Sequence, residues 1–245
     1  MEIIYHQELA STNVYAKEQL AKEPSEFTVY VADSQPKGKG QQGNHWESEC
    51  GKNLTFSVVL YPTFLPIARQ FLLSKAVCLG IADVLRKAVQ GVKVKWPNDI
   101  YVGDQKICGI LIENQIRGVG FHSAVVGIGL NVNQEQFLSD APNPVSLKQL
   151  TEQHYNLNDV LQAVLSRIQY YYEQIRTEEA VSRINAYFVE SLYRLGGWHK
   201  FSDDQGVFVG KIIGINEIGQ LLIRHQTNDV VESYHFKEVS YIIRK

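Results

Sequence analysis

Residues 94–113 constrain this chain more than any other stretch. They read Val-Lys-Trp-Pro-Asn-Asp-Ile-Tyr-Val-Gly-Asp-Gln-Lys-Ile-Cys-Gly-Ile-Leu-Ile-Glu. Two apolar, β-rich runs, 100–102 and 107–112, flank Gly103-Asp104, which is turn chemistry, so the pattern predicts a hairpin. Pro97 cannot donate to a ladder, which predicts an interruption of the first strand there. That interruption gathers Lys95, Trp96, Asn98 and Asp99 at one end of the hairpin. Lys106 follows the turn, and Gly109 leaves room for a group to approach the backbone. A cation, a carboxylate, an amide and an indole at this density read as a site. The bland alternative is a turn-rich hairpin with a core tryptophan and solvated charges.

A chain of 245 residues holds one large domain, or a medium and a small one. The formal net charge of −2 provides no global field for nucleic acid or an anionic membrane. Cys50, Cys78 and Cys108 form no Cys-x-x-Cys and no cluster with histidine, which argues against a zinc site and for a reducing cytoplasm. No basic n-region opens the chain, and no apolar run is long enough for a bilayer. A cytoplasmic, membrane-free protein is expected.

Residues 3–5 suit a short strand. Ser11 or Thr12 can cap a helix over 13–22, ended by Pro24. Capping is the simpler reading of Ser11-Thr12-Asn13; binding a small polar ligand with the same groups is the sharper one. A strand over 27–32 leads into a loop with Gly38, Gly40 and Gly43, formally Gly-x-Gly-x-x-Gly. The dinucleotide reading of that pattern needs a helix to open at once, and a second strand over 54–60 follows instead. A glycine loop carrying Lys37 and Lys39 could close over an anion with its N–H groups and lysines, or could simply be a solvated surface loop.

Helical spacing of Leu73, Val77, Ile81, Val84 and Leu85 predicts a helix over 67–90 with one stripe facing the core. The apolar run 121–130 reads as a buried central strand. Asn131 and Asn133 at its end are turn formers, or, for Asn131, a ligand amide. Pro142 and Pro144 precede a short helix over 145–150, Asn158 caps a helix over 159–176, and another runs over 178–195. Tyr170, Tyr171 and Tyr172 read as core and rim packing rather than an aromatic box. After Gly196-Gly197 the period turns to strand, and five short strands in about fifty residues predict a small closed barrel. The expected division is 1–195 and 196–245.

Four pieces in this order resemble biotin protein ligases: Ser11-Thr12-Asn13, the glycine loop to Trp46, Lys95-Trp-Pro-Asn-Asp99 with Lys106 and Glu113, and 127–131. The Trp-Pro-Asn-Asp string with a lysine seven residues on is the specific part. The resemblance covers nearly the whole chain. It implies an α+β fold: a class II aminoacyl-tRNA synthetase-like catalytic domain, with a mixed, mostly antiparallel sheet and helices on one side, plus a C-terminal barrel of the Src-homology type. It implies ATP, with magnesium, activating biotin to biotinyl-5′-AMP and then transfer to a lysine of a biotin carboxyl carrier protein. Bringing two anions together demands cations and exclusion of water.

Residue by residue, the resemblance assigns Ser11, Thr12, Asn13 and Gln35 to biotin's ureido end. It assigns Gly38, Lys39, Gly40, Gln41 and Gly43 to a loop over biotin and the adenylate. Trp46 would stack on adenine, Asn98 and Asn131 would contact nucleotide, and Gly109 would pack against the ligand. Lys39 and Lys106 are the expected cations for carboxylate and phosphate. Asp99 would orient or deprotonate the carrier lysine or help hold magnesium; no metal ligands are assigned. Family members often carry several arginines in the glycine loop, where this chain has Lys39, Gln41, Gln42 and Asn44, so charge and bidentate geometry are reduced. Some members open with a winged helix–turn–helix; this sequence opens on the expected catalytic strand, so no nucleic-acid partner is expected. A lipoate–protein ligase and a non-enzymatic biotin sensor are the alternatives. The expected assembly is a monomer or a homodimer.

Overall fold

The computed structural model describes residues 1–40, 44–118, 120–139 and 143–243. Gln41, Gln42, Gly43 and Pro142, which carry expectations above, lie outside the described residues.

A seven-stranded sheet organises the first part. Its strands are β1 (Glu2–Glu8), β2 (Thr28–Ser34), β3 (Leu54–Leu60), β4 (Val92–Lys95), β5 (Asp99–Val102), β6 (Gln105–Arg117) and β7 (Gly120–Leu130). They lie in the order β1-β2-β3-β7-β6-β5-β4. β1 and β2 run parallel and every other neighbour is antiparallel. The apolar run at 120–130 is central, between β3 and β6, as a strand buried on both faces must be.

The helices are α1 (Thr12–Gln19), α2 (Phe71–Leu85), α3 (Leu147–Thr151), α4 (Leu157–Gln174) and α5 (Glu178–Glu190). α2, α4 and α5 join the main core with Phe56, Val58, Ile110 and Ile128 from one sheet face. α1 lies on the other face, where Ala16 meets Tyr30, Val59 and Val125. The expectation of helices on one side is therefore corrected: eight residues of helix cover part of the second face and leave the rest open.

α2 also departs from expectation. Residues 67–69 are a separate 3-10 turn, the helix ends at Leu85, and burial runs around almost its whole circumference because α4 and α5 cover the side away from the sheet. α4 is capped by Asn156, whose side-chain oxygen accepts from the N–H groups of Asn158 and Asp159, so Asn158 is not the cap. α5 stops at Glu190, short of 195, and α3 is capped by a Ser146–Gln149 box. Tyr171 and Tyr172 are core while Tyr170 is exposed, as the helical spacing required.

The C-terminal strands β8 (Trp198–Asp203), β9 (Gly206–Ile215), β10 (Leu221–His225), β11 (Val231–Tyr234) and β12 (Ser240–Tyr241) form an antiparallel sheet in the order β11-β10-β9-β8-β12. It wraps Phe201, Ile212, Leu221, Ile223, Tyr234 and Val239. Closure is incomplete among the described residues, since no ladder joins β11 to β12. Two of the contacts that fasten this sheet to the first part meet at Gly219. Trp96 Nε1 donates to Gly219 O at 2.9 Å. Phe71 packs on Gly219, where an added Cβ would stand 2.5 Å from the ring and the backbone φ is +94°. No helix among the described residues is long and apolar enough to cross a membrane.

Candidate functional site

Pro97 does not interrupt a strand. Its peptide with Trp96 is cis, and the turn at 96–98 reverses the chain so that β4 pairs with β5, Lys95 opposite Asp99. The expected hairpin β5–β6 follows directly, turning at Gly103-Asp104. The result is a three-stranded meander whose first turn carries Trp96, Asn98 and Asp99.

A register shift in β6 aims Lys106. Ile100 pairs with Cys108 and Tyr101 with Lys106, so Ile107 is an extra residue in the strand. Ile107 and Cys108 both enter the main core. Strict alternation would put Lys106 on the same face as Cys108; the bulge turns it to the open face. There its ammonium meets Asp99 Oδ1 at 2.8 Å. The burial that serves this packing pushes the Cys108 thiol well up.

The open face is nearly flat because three glycines tile it. Gly109 pairs with Gly129 and Leu111 with Gly127 across β6 and β7. Asn13, from α1, rests on Gly127, and the Trp46 indole rests on Gly129 and Gly109. Gly109 was expected to face a ligand directly; its near neighbours are Trp46, 2.9 Å from an added Cβ, and the Lys106 side chain at 3.3 Å. Lys106 Nζ stands 5.6 Å from the Trp46 ring centre.

Ser11 does not cap α1 through its side chain. Its neighbours are tied instead to the sheet: Ser57 Oγ lies 2.8 Å from Thr12 Oγ1 and 2.6 Å from Asn13 Oδ1, and Gln35 Oε1 accepts from Thr12 N at 2.6 Å. Capping, the simpler expectation, thus gives way to buried polar groups at a cavity end.

The glycine loop is a pinched ribbon at its base: Trp46 N donates to Gly38 O, Lys39 bridges His45, and Gly40 N donates to Asn44 O. The expectations for Gln41 and Gly43 fall outside the described residues. Trp46 Nε1 is buried and finds no partner among the described residues.

These parts surround one cavity of about 410 Å³. Ser11, Thr12, Asn13 and Gln35 line one part; Lys39, Gly40, Trp46, Asn98, Asp99, Lys106 and Gly109 line the rest. Lys39 and Lys106, from the loop and the meander, thus share one space. Asn98 reaches it with its Nδ2 already given to Ile110 O. Gly38 is beside the cavity but not among its lining, and Asn131 is buried away from it, donating to Val145 O at 3.1 Å. Asn133 is no simple turn former: it exchanges hydrogen bonds with the Tyr155 backbone at 2.8 and 3.0 Å.

The sequence reading placed Lys95 in the site but missed part of the lining: Phe236, Lys237 and Tyr241, from the C-terminal part, complete a wall with Lys95. Lys95 Nζ sits 5.3 Å from the Tyr101 ring centre and 4.9 Å from that of Tyr241. Burial pulls the Lys95 ammonium below the ordinary lysine range; Asp99 opposes this, and the charges of Lys106 and Arg194 add to it. Lys95 was visible in the Lys-Trp-Pro-Asn-Asp string, whereas nothing local marks Lys237. Among the described residues, four lysines and one carboxylate, Asp99, line the cavity, an excess of positive charge suited to anions. No group of three metal-binding side chains stands together among the described residues.

Comparison with known proteins agrees with this geometry. A family profile described as "Biotin/lipoate A/B protein ligase family" matches residues 5–131. The bifunctional ligase/repressor BirA of Bacillus subtilis is 28% identical over 244 residues, covering 97% of this chain and 73% of that protein. The biotin protein ligase from Aquifex aeolicus, solved in complex with biotin and ATP, superposes with a TM-score of 0.81 at 28% identity, covering 98% and 97% of the two chains. The Leishmania major biotin protein ligase, at 22% identity and a TM-score of 0.65, shares the fold. With its profile match spanning half the sequence and the open sheet face assembled from that same stretch, this chain belongs to the biotin/lipoate A/B protein ligase family.

Proposed function

We infer that this chain is an ATP-dependent ligase that joins biotin to a lysine of a biotin carboxyl carrier protein through biotinyl-5′-AMP. One observation carries the reading: a single cavity holds an amide-lined end and a lysine-lined end. Asn13 sits over Gly127, and Trp46 with Lys106 sits over Gly129 and Gly109. Two residues of strand separate those positions, roughly 7 Å. That spacing suits a small molecule with a polar head and a carboxylate tail. A relative solved with biotin and ATP has the same architecture over nearly its whole length.

In the first step a biotin carboxylate oxygen attacks the α-phosphorus of ATP, the bond to the bridging oxygen breaks, and pyrophosphate leaves. Lys106 serves both anions, since it is fixed by Asp99 and turned to the open face. Lys39 adds charge from the loop, and Trp46 offers a ring face to adenine. Magnesium, when present on the triphosphate, neutralises part of its charge. In the second step a carrier lysine amine attacks the acyl carbonyl, AMP leaves, and the amine gives up a proton. Asp99 is the cavity's carboxylate for receiving or orienting that amine. Residues 1–195 would form the catalytic domain and 196–245 a module closing one wall. Three free cysteines suit a reducing cytoplasm.

The deciding assay mixes the chain with ATP, magnesium, biotin and a carrier domain and reads the product by avidin blot. Biotin-dependent labelling and pyrophosphate release are expected. Lys106→Ala should abolish adenylate formation, by at least about a hundredfold, with the thermal midpoint unchanged. Lipoate-dependent release in place of biotin, or an active Lys106→Ala enzyme, overturns the assignment.

A further inference from the structure

The amide-lined end has a fixed hydrogen-bond polarity, and the group that fixes it lies outside the cavity. Asn13 is 3% exposed. Its Nδ2 donates to Glu113 Oε2 at 2.9 Å and to Leu111 O at 3.2 Å. A carboxylate and a backbone carbonyl only accept, so this atom must be the amide nitrogen and both its hydrogens are spent. Oδ1 accepts from Ser57 Oγ at 2.6 Å and keeps one lone pair for the cavity. Gln35 is fixed the other way. Its Oε1 accepts from Thr12 N at 2.6 Å, and a backbone N–H only donates. Gln35 Nε2 finds no acceptor among the described residues and is left to donate. The cavity end therefore offers one acceptor and one donor, and neither amide can turn over without stranding a buried partner.

We propose that Glu113 is a positioning residue: held by Lys17, it locks the Asn13 amide with its oxygen toward the cavity, so that the site reads the N–H of a cyclic urea while Gln35 reads its carbonyl. The inference rests on the biotin reading above and adds what sets the direction in which the head group is read. Glu113 touches no ligand. Its other oxygen, Oε1, takes Lys17 Nζ at 2.7 Å, so each carboxylate oxygen has its own donor. This division makes the expected effect of Glu113→Gln specific. Lys17 keeps hold of the glutamine oxygen, which leaves the glutamine NH2 facing Asn13. Asn13 must then turn its oxygen toward position 113 and its NH2 toward the cavity, where it confronts the urea N–H donor to donor. A dithiolane head group, with neither donor nor strong acceptor, has no use for such a lock.

The test uses the full chain. Calorimetry of biotin binding to the wild type comes first, since failure to bind removes the biotin reading itself. Given binding, Glu113→Gln should raise the KM for biotin about tenfold, with kcat and the KM for ATP within about twofold. Asn13→Asp, which sets a carboxylate against Glu113, should lower kcat/KM for biotin about a hundredfold or more. The double variant Asn13→Asp/Glu113→Gln should recover at least about tenfold of that loss, because the glutamine NH2 now donates to the new carboxylate. A merely structural Glu113 predicts neither the biotin-only KM effect nor the rescue. Biotin binding by the wild type together with an unchanged biotin KM in Glu113→Gln overturns the proposal and leaves the ligase reading standing. So does a double variant no better than Asn13→Asp alone.

Discussion

At the scale of single residues, three glycines decide what can lie on the open sheet face. Any side chain at Gly127 would overlap the Asn13 amide, and any at Gly129 would overlap the Trp46 indole. These neighbours serve different halves of the cavity, so the two alanine variants should separate. Gly127→Ala should raise the KM for biotin, Gly129→Ala the KM for ATP, each about tenfold or more, with modest change in thermal midpoint. Steady-state titration of each substrate in turn checks it; equal effects on both substrates in both variants would show that the floor is not divided this way. Gly109 was legible as a point of close approach. What approaches it and its neighbours Gly127 and Gly129 was not, because Asn13 and Trp46 come from other parts of the chain and no local pattern encodes that meeting. Lys106 was legible as a cation near a turn, while the bulge that aims it was hidden, since Ile107 and Cys108 are both apolar and an extra apolar residue leaves the strand pattern intact.

At the scale of elements, the helices are tied together by a carboxylate. Asp83 on α2 accepts from Arg167 and Tyr171 of α4, Tyr187 of α5 and its own neighbour Arg86. Burial alone would raise its pKa, but the hydrogen bonds from Arg167, Tyr171 and Tyr187 and the Arg167 charge win and hold it below the ordinary aspartate value. A carboxyl whose folded pKa is depressed gives stability that is present above its unfolded pKa, about 4, and is lost as pH falls through the folded value. Thermal melts should therefore show an acid limb beginning near pH 4. Asp83→Asn should flatten that limb and lower stability at pH 7 by about 1–3 kcal/mol. An unchanged acid limb in that variant would assign the loss to other carboxylates. The helices themselves were readable from spacing. Their ends and caps were less so: Asn156 and Asn158 are chemically equivalent candidates two residues apart, and only the chain's approach selects the first.

At the scale of the whole molecule, the C-terminal sheet is part of the site. Phe236, Lys237 and Tyr241 face the cavity, and Trp96 holds the turn at Gly219. Trp96→Phe keeps the ring packing and removes one hydrogen bond, so stability should fall by about 1 kcal/mol. Loosening of the wall beside Lys95 should also weaken substrate binding; a melt and substrate titrations check both. The change of period after Gly196-Gly197 announced a second sheet, and the sequence contained no sign that it would supply side chains to the first, because Lys237 and Tyr241 sit in short segments with unremarkable neighbours. The meander, the glycine floor and the loop were each visible in outline, and their shared cavity emerged only when the long-range pairings were in place. Trp46 has a last consequence. Its indole lies at the cavity over Gly109 and Gly129 and beside Lys106, Trp96 lines the same cavity from the meander turn, and Trp198 stands on the surface. Anything that enters must change the surroundings of these two indoles, so the protein carries a built-in optical gauge of its own filling.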